Sequence, residues 1–428
     1  MWKLIIKNLW SRRKRNGWLL AELILVSVVT WVIMDPAIVL LHDTSLPLGY
    51  DAGRLCLIEI SSLDPRAADY DEQAVDSATQ TANFFRLLDK IKNRPEVENA
   101  SPLLRSTYMN SQGNSSRDMH ADSLELFANI LYFTPGQHYF ETYGIKAASG
   151  SPSAEELSKA NYGEHDIVVT RNLVDYLMPG EEALGKEIFT TSEDTTYLRI
   201  VGIVENVRIY STKRASLVVF WPNMDLEIEA YSRVLVRLKP GITPQRFIQN
   251  FRPWMVKELK AGNLFARSVT SYSQIINDYE YQGGTSNKIR LNIATAIFFL
   301  VNLCLGVIGT FWLQTRKRSE EAGIIRSFGA TPFYIMRMLL GEGFVLCTLA
   351  FLIGCFGYWQ YALKEGLYRV NNLMEKIASD SWLSSFDTHF LGVSLIVYLI
   401  ILIVVSIGIY IPARKISRVN PVDALRDE

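Results

Sequence analysis

The sequence predicts a membrane protein with four transmembrane α-helices and a large α+β extracytoplasmic domain. Four apolar runs predict the spans, and one of them, Leu291 to Leu313, carries no formal charge. At ~1.5 Å rise per residue such a run is long enough to cross a ~30 Å hydrocarbon layer. Residues 42–287 instead show strand and helix patterns without a long apolar run. Basic residues cluster beside the ends of the spans, which predicts that those ends face the cytoplasm.

The chain begins with a predicted interfacial amphipathic helix at 1–17, followed by a first span at 18–41. Six residues of the helix are predicted membrane-interface anchors: Trp2, Trp10, Arg12, Arg13, Lys14 and Arg15. A cleaved signal peptide is the competing interpretation, but the apolar run is too long and lacks a small-residue cleavage site, which favours a retained anchor. Glu22 and Asp35 lie toward opposite ends of the run, where we expect their carboxylates to reach the interface.

Residues 42–287 are predicted to form a split β-α-β sheet domain with an inserted subdomain at about 103–230. Before the insertion we predict a strand, a helix and a strand, at Arg54–Ser61, Asp71–Arg94 and Val97–Ala100. After it the same order returns, at Arg233–Leu238, Thr243–Lys260 and Leu264–Val269. Within it we predict strands at Asp166–Thr170, Tyr197–Val204 and Ser216–Trp221, and a short helix at Asn172–Leu177.

The other three spans are predicted at 288–314, 333–360 and 390–411. An inner segment at 315–332, an outer loop at 361–389 and a tail at 412–428 connect or follow them. Basic residues flank the second and fourth spans, at Arg316-Lys317-Arg318 and Arg414-Lys415. Because these clusters fall on one side, the predicted topology has both termini in the cytoplasm.

The inner segment 315–332 is predicted to be a short amphipathic helix. Three apolar residues fall at helical spacing: Ala322, Ile325 and Phe328. Gly329 suits a helix C-terminus, and Thr331-Pro332 suits the N-cap and first position of the next helix. Two explanations stay open from these residues alone. The apolar face rests among lipid headgroups, or it docks onto a cytoplasmic partner.

Glu342 lies inside the third span, where a carboxylate is costly and usually faces protein. Gly341 and Gly354 supply small surfaces that let helices approach closely. We expect Glu342 to have a structural partner or to bond across a dimer. Proton or substrate handling is the alternative role.

No catalytic, cofactor or metal site is predicted. Gly180–Lys186 matches a phosphate-binding loop, but Glu187 replaces the Ser/Thr that would hold Mg²⁺, so a turn is the simpler interpretation. The five histidines show no zinc-binding spacing, and no nucleophile elbow is present. The 44 basic and 44 acidic residues balance, so the net charge does not indicate nucleic acid.

The stretch Glu321-Ala-Gly-Ile-Ile-Arg-Ser-Phe-Gly-Ala330 resembles the coupling segment of FtsX-like/MacB-type ABC transporter permeases of the mechanotransmission class. Stretches 166–174 and 198–206 and the tail 413–426 resemble other parts of that family in the same order. The resemblance implies that the segment contacts an ATPase through Glu320, Glu321, Gly323, Ile324, Ile325, Arg326, Phe328 and Gly329.

The resemblance implies a permease subunit in a bacterial inner membrane, paired with a second permease chain in a homo- or heterodimer. Because the sequence holds no complete Walker motif, we expect the ATPase on another chain and no enzymatic activity here. ATP hydrolysis would move the periplasmic domain and drive efflux or extraction of a drug, peptide or lipoprotein. The resemblance leaves open a further partner, a periplasmic adaptor or outer-membrane component.

Two other classes of function compete with this one. A membrane-anchored ligand-binding sensor without an ATPase explains the topology but not the inner segment. The resemblance also implies a regulatory alternative, because some family members regulate cell-wall hydrolases without transport. An outward-facing hydrolase lacks an acid/base or nucleophile constellation in the sequence. Recovery of a stoichiometric ATPase with the purified chain distinguishes the first function from both.

Overall fold

A computed structural model of the chain describes residues 13–104, 107–111, 113, 115–121, 124–190, 196–224, 231–313, 315–368 and 382–418. These residues form two compact units. The helical unit comprises the described residues before 42 and after 286, and the α+β domain comprises those between.

The helices, in chain order, are α1 (Arg13–Ser45), α2 (Ser77–Lys92), α3 (Tyr139–Tyr143), α4 (Ala154–Lys159), α5 (Arg171–Leu177), α6 (Pro244–Glu258), α7 (Tyr272–Gln282), α8 (Thr285–Leu313), α9 (Thr315–Ser327), α10 (Pro332–Glu365) and α11 (Phe386–Ser417). The strands are β1 (Leu55–Ser62), β2 (Val97–Leu104), β3 (Ser115–Ala121), β4 (Leu124–Phe133), β5 (Asp166–Thr170), β6 (Glu187–Thr190), β7 (Thr196–Val204), β8 (Val218–Pro222), β9 (Tyr231–Leu238), β10 (Lys260–Ala261) and β11 (Leu264–Ser271).

Within the described residues, four helices are long and apolar enough to cross a membrane: α1, α8, α10 and α11. Their buried sides share one hydrophobic cluster, which includes Trp31, Leu303, Leu346 and Val397. Large apolar side chains such as Leu291 and Phe356 remain exposed on these helices, as expected for surfaces that face lipid. Together with the α+β domain, they confirm the predicted fold class.

The helices extend past the apolar runs from which the spans are predicted. Helix α10 continues to Glu365, and α11 passes through Pro412 and ends at Ser417. The extension of α11 is stabilised by packing, because Ala413 and Ile416 are fully buried. An apolar run marks the hydrocarbon layer and not the ends of the helix. The predicted anchors Trp2, Trp10 and Arg12 lie outside the described residues.

The sheet of the α+β domain has five strands in the order β10-β11-β1-β9-β2, and every neighbouring pair is antiparallel. Strands β1 and β2 therefore run parallel on either side of β9, which is the predicted split β-α-β arrangement. Along β1, Leu55 and Leu57 belong to one hydrophobic cluster, whereas Cys56 and Ile58 belong to another. Both faces of the sheet are thus covered, so β1 is an almost continuous apolar run.

Helices α2 and α6 cover one face of this sheet. Asp76 caps α2 by accepting a hydrogen bond from the Thr79 amide at 2.8 Å, and Pro244 occupies the first turn of α6. Phe84 from α2 and Phe251 from α6 are fully buried in the cluster that also holds Cys56. Burial raises the pKa of the Cys56 thiol to about 12, so this cysteine packs as a small apolar residue.

The chain between β2 and β9 folds into a closed barrel with the strand order β3-β4-β8-β5-β7-β6. Pairs β4–β8 and β5–β7 are parallel, and the other described neighbours are antiparallel. Fully buried residues such as Met119, Ile130, Val169 and Leu198 fill its interior. Closure pairs the strand edges that would otherwise stay open.

Candidate functional site

The C-terminus of α9 is fixed by a Schellman motif. The Ala330 amide donates to the Ile325 carbonyl at 3.3 Å, and the Gly329 amide donates to the Arg326 carbonyl at 2.9 Å. Gly329 adopts φ = 91°, a left-handed conformation that glycine takes without steric cost. Thr331 then caps α10 through its Oγ1 and the Tyr334 amide, with Pro332 at the first position. Both features are predicted from the sequence, and both are confirmed.

The apolar residues of α9 are divided between the bundle and the surface. Ala322 is 3% exposed and Gly323 is buried, whereas Ile324 is 48% exposed and Phe328 is 87% exposed. The residues predicted to form one apolar face therefore differ in burial: Ala322 is covered, whereas Phe328, one residue past the helix end at Ser327, is exposed. The turn therefore presents a large unburied aromatic ring, with the exposed Ile324 on the last turn of the helix.

Helix α9 is seated on the bundle through its buried side. It contacts α11, and Ala322 belongs to the same hydrophobic cluster as Ala413 and Ile416. The ends of α8 and α11 also meet, since the Lys415 ammonium lies 4.3 Å from the centre of the Trp312 ring. Helix α9 is therefore packed directly against α11.

The remaining residues predicted for this segment lie around the turn. Glu321, Ile325 and Arg326 are half-buried, and Gly329 is exposed. The side chain of Glu320 lies outside the described part of the structure. The structure thus groups Ile324, Phe328 and Gly329 on the exposed side, and Gly323 on the buried side.

Residues predicted for packing inside the spans lie along α10. Glu342 is 2% exposed, and Gly341 is half-buried. A Cβ at Gly354 would overlap Ser27 Oγ and lie 3.3 Å from the Ile24 carbonyl oxygen, both on α1. Gly354 therefore permits close approach of two helices within this chain. A role for Glu342 or Gly341 between two chains stays a prediction.

We expect Gly354→Leu to destabilise the bundle by about 1–3 kcal/mol, because the added side chain must displace Ser27 or the α1 backbone. The thermal unfolding midpoint in detergent measures the effect. Gly357→Leu is the matched control, since a Cβ at Gly357, one turn further along α10, meets no atom within 4 Å. Equal midpoints for the two variants would contradict this packing role.

A buried polar pair, which the sequence pattern does not predict, joins α1 to α11. The Asp35 carboxylate lies 2.6 Å from His389 Nε2 and accepts the Tyr368 amide at 3.0 Å. Asp35 and His389 are 0% and 1% exposed. The expectation that Asp35 reaches the interface is wrong, because its carboxylate has partners inside the protein. The signal available in the sequence was an acidic residue in an apolar run, which by default indicates a specific partner.

Aromatic packing surrounds this pair. The Trp31 indole nitrogen donates to Ser394 Oγ at 2.9 Å, and its ring stacks on Tyr358 with centroids 3.8 Å apart. Trp31 lies one turn before Asp35 on α1, and Ser394 lies on α11. Two polar contacts therefore fix these helices against each other at neighbouring levels.

Comparison with known proteins shows which family this chain is similar to. Residues 293–421, which include α9, match the family model described as FtsX-like permease C-terminal. A probable export ATP-binding/permease protein of Pseudomonas fluorescens (strain Pf0-1) is 26% identical over 294 residues, which are 67% of this chain and 42% of that protein. The macrolide export ATP-binding/permease protein MacB 1 of Yersinia pestis bv. Antiqua (strain Antiqua) is 22% identical over 394 residues, covering 90% of this chain and 55% of that protein.

This chain thus spans about half the length of the curated relatives it matches. Among solved structures, the periplasmic region of MacB from Actinobacillus actinomycetemcomitans aligns with 54% of this chain and 94% of its own length, at 11% identity and a TM-score of 0.33. The likeness rests on the sequence matches. They support the resemblance first carried by the residues around α9: residues 293–421 match the FtsX-like permease model, and the chain is similar to export ATP-binding/permease proteins of the MacB type.

Proposed function

We propose that this chain is the permease subunit of an ABC transporter in a bacterial inner membrane, and that it couples ATP hydrolysis by a separate ATPase subunit to movement of its α+β domain outside the cytoplasm. The observation that carries the proposal is the exposed surface formed by Ile324 and Phe328, on a short helix whose other side packs into the membrane-spanning bundle. Exposed aromatic residues of this kind anchor protein–protein interfaces when a partner covers them.

The proposed mechanism passes a mechanical displacement through packed helices. The ATPase binds the turn at Phe328, and nucleotide-driven changes in its shape move α9. Because Ala322 is packed in one cluster with Ala413 and Ile416, α11 moves with α9. Helices α8 and α10 directly precede and follow α9 in the chain, so they move as well. Packed elements of this kind shift as rigid bodies and do not deform gradually.

A second permease chain and the lipid bilayer complete the proposed assembly. Helix α8 is the most exposed of the four candidate spans, so much of its apolar surface is available to lipid or to another helix. We propose that both termini are cytoplasmic. The client is a drug, peptide or lipoprotein taken from the periplasmic side. Macrolides are the first candidates to test, because the Yersinia relative is a macrolide export protein.

The first experiment purifies the full chain from its native host in mild detergent and identifies the proteins that accompany it. We expect an ATPase subunit in stoichiometric amount. We also expect the activity of that ATPase subunit to differ between the isolated subunit and its complex with the permease in lipid nanodiscs. Repeated purification without an ATPase would overturn the proposal and favour a membrane-anchored ligand-binding sensor.

Orientation is tested by cysteine accessibility. A Phe328→Cys variant in a background without native cysteines should react with a membrane-impermeant thiol reagent only after the cells are permeabilised. A Tyr197→Cys variant in the barrel is the control, because Tyr197 is 60% exposed and should react in cells whose inner membrane is intact. Labelling of Phe328→Cys from outside would contradict the proposed coupling site.

A further inference from the structure

Two segments connect the α+β domain to the candidate spans. The first connector, residues 42–54, follows the apolar part of α1 and leads into β1. The second connector, α7 at Tyr272–Gln282, leaves β11 and precedes α8. Residues 206–213, here called the clasp, lie between β7 and β8 and contact both connectors. All three segments belong to the α+β domain.

Arg208 holds the first connector to the clasp. Its side chain is 2% exposed, and its guanidinium donates to the carbonyls of Asp43 and Leu46 in the connector. It also donates to the carbonyls of Ser211 and Lys213 in the clasp, the latter at 2.7 Å from Nε. A guanidinium has five N–H donors, so most of its hydrogen-bonding capacity is used on the backbone of these two segments.

The backbones of these two segments also touch. The Arg208 amide donates to the Leu48 carbonyl at 2.9 Å. Gly49 adopts φ = 80°, and a Cβ there would overlap the Asn206 carbonyl oxygen. The connector therefore lies directly against the clasp, and its close approach depends on glycine at position 49.

Charged groups around the Arg208 guanidinium constrain its position. Burial lowers the pKa of the Arg208 guanidinium, and the nearby Asp43 carboxylate opposes that effect. Asp43 is 1% exposed and lies 3.2 Å from Arg214 Nε and 2.9 Å from His42 Nδ1. A buried cation is tolerated only when its donors are satisfied, so the carbonyls around Arg208 must keep their positions. A lysine ammonium lacks the planar fork that reaches all of them.

The clasp holds the second connector through aromatic rings. Tyr210 stacks on Tyr279 of α7 with centroids 5.4 Å apart and an interplanar angle of 18°. Asn110, which accepts the Ser211 amide at 2.8 Å, donates to the Tyr50 hydroxyl at 2.8 Å. The rings of Tyr50 and Tyr272, from the first and second connectors, meet edge to face with centroids 5.8 Å apart.

We propose that Arg208 is a positioning residue that locks both connectors to the clasp, so that the first and second spans move the α+β domain as one lever. This inference rests on the function proposed above. Without the guanidinium, the connector keeps the Leu48 and Tyr50 contacts but loses the bonds at Asp43 and Leu46, nearest the span. A loosened segment there would absorb the displacement before it reached the barrel.

The experiment measures the distance between two spin labels in the full chain bound to its ATPase. Labels are placed by Leu41→Cys in α1 and Tyr197→Cys in the barrel, both at exposed positions, after the four native cysteines are replaced by alanine. In otherwise native protein we expect one narrow distance distribution that shifts when a non-hydrolysable ATP analogue binds. With Arg208→Gln we expect a broader distribution without nucleotide, no shift with nucleotide, and unchanged ATPase binding.

Further variants separate geometry from charge and from folding. Arg208→Lys keeps the charge but loses the fork, and we expect it to broaden the distribution as Arg208→Gln does. Arg252→Gln, on the exposed surface of α6, is the matched control and should behave as the native residue. If Arg208→Gln fails to fold, Tyr279→Leu decides the question, because it removes the stack on Tyr210 and leaves Arg208 in place. It too should broaden the distribution.

The outcomes separate this inference from the proposed function. The role of the clasp is overturned if Arg208→Gln has the same width and nucleotide-dependent shift of the distance distribution as the native protein. If Arg208→Gln does not fold, the same result in Tyr279→Leu overturns it. Either result leaves the proposed function intact. Absence of any nucleotide-dependent shift in the native chain would overturn the proposed function. In that case, comparing the widths of the nucleotide-free distance distributions of the native protein and Arg208→Gln would still decide whether Arg208 holds the connectors together.

Discussion

Replacing Phe328 by aspartate is expected to reduce stimulation of the partner ATPase at least tenfold while leaving the thermal stability of the chain unchanged. Phe328 is 87% exposed, so its removal breaks little packing within the chain. A covered aromatic anchor typically carries about 2 kcal/mol or more of binding free energy, and each 1.4 kcal/mol is about a tenfold change in affinity. An aspartate at the same position would also place a charge in the apolar centre of the interface.

The measurement is ATPase activity in nanodiscs as a function of permease concentration. Tyr197→Asp is the matched control, since it replaces another exposed aromatic residue by aspartate, in the barrel. Ile324→Asp should show a smaller defect than Phe328→Asp, because half of the Ile324 surface is already covered. Unchanged stimulation in the double variant Ile324→Asp/Phe328→Asp would show that the ATPase binds elsewhere.

Replacing Asp35 by leucine is expected to destabilise the helical unit by about 3–5 kcal/mol, because it leaves His389 buried without its carboxylate partner. His389→Leu should cost a similar amount, since Asp35 would then keep only the Tyr368 amide. The double variant Asp35→Leu/His389→Leu should recover most of the loss, because two apolar side chains fill the site without a buried charge. Thermal or denaturant unfolding in detergent measures each value.

A double-mutant cycle makes this prediction specific to the pair. Coupled partners give a double variant that is more stable than the sum of the single losses predicts. Additive losses would show that Asp35 and His389 do not stabilise each other. Ser394→Ala is a useful reference, because it removes only the hydrogen bond from the Trp31 indole and should cost about 1 kcal/mol.

Features that depend on neighbouring residues in the chain were predictable from the sequence. The spans follow from uninterrupted apolar runs, and the end of α9 follows from Gly329 and Thr331-Pro332, whose preferences are set by local backbone conformation. Strand β5 has the predicted bounds, Asp166–Thr170, because it is short, apolar and flanked by polar residues. The proposed coupling segment was located by resemblance, and it lies within residues 293–421, which match the FtsX-like permease model.

Features that depend on contacts between distant segments were not predictable. Strand β3 has a polar sequence with few buried residues, so it lacks the alternation of apolar and polar residues that marks a strand. Its place in the barrel is fixed by its pairing with β4 and β6. The Asp35–His389 pair joins residues far apart in the chain. The exposure of Phe328 depends on the packing of the surrounding helices, which the helical spacing of Ala322, Ile325 and Phe328 does not determine.

The position of the barrel between β2 and β9 has an evolutionary consequence. Leu104 and Tyr231, on either side of the insertion, are paired neighbours in the sheet. The chain therefore leaves the sheet and re-enters it at adjacent points. The entropic cost of closing the segment between these points rises only with the logarithm of its length. The barrel can therefore become larger or smaller, or be replaced by another domain, during evolution without a change in the strand order of the five-stranded sheet. Under the proposed function, such a change in the barrel would alter the client that is bound while the proposed ATPase contact stays the same.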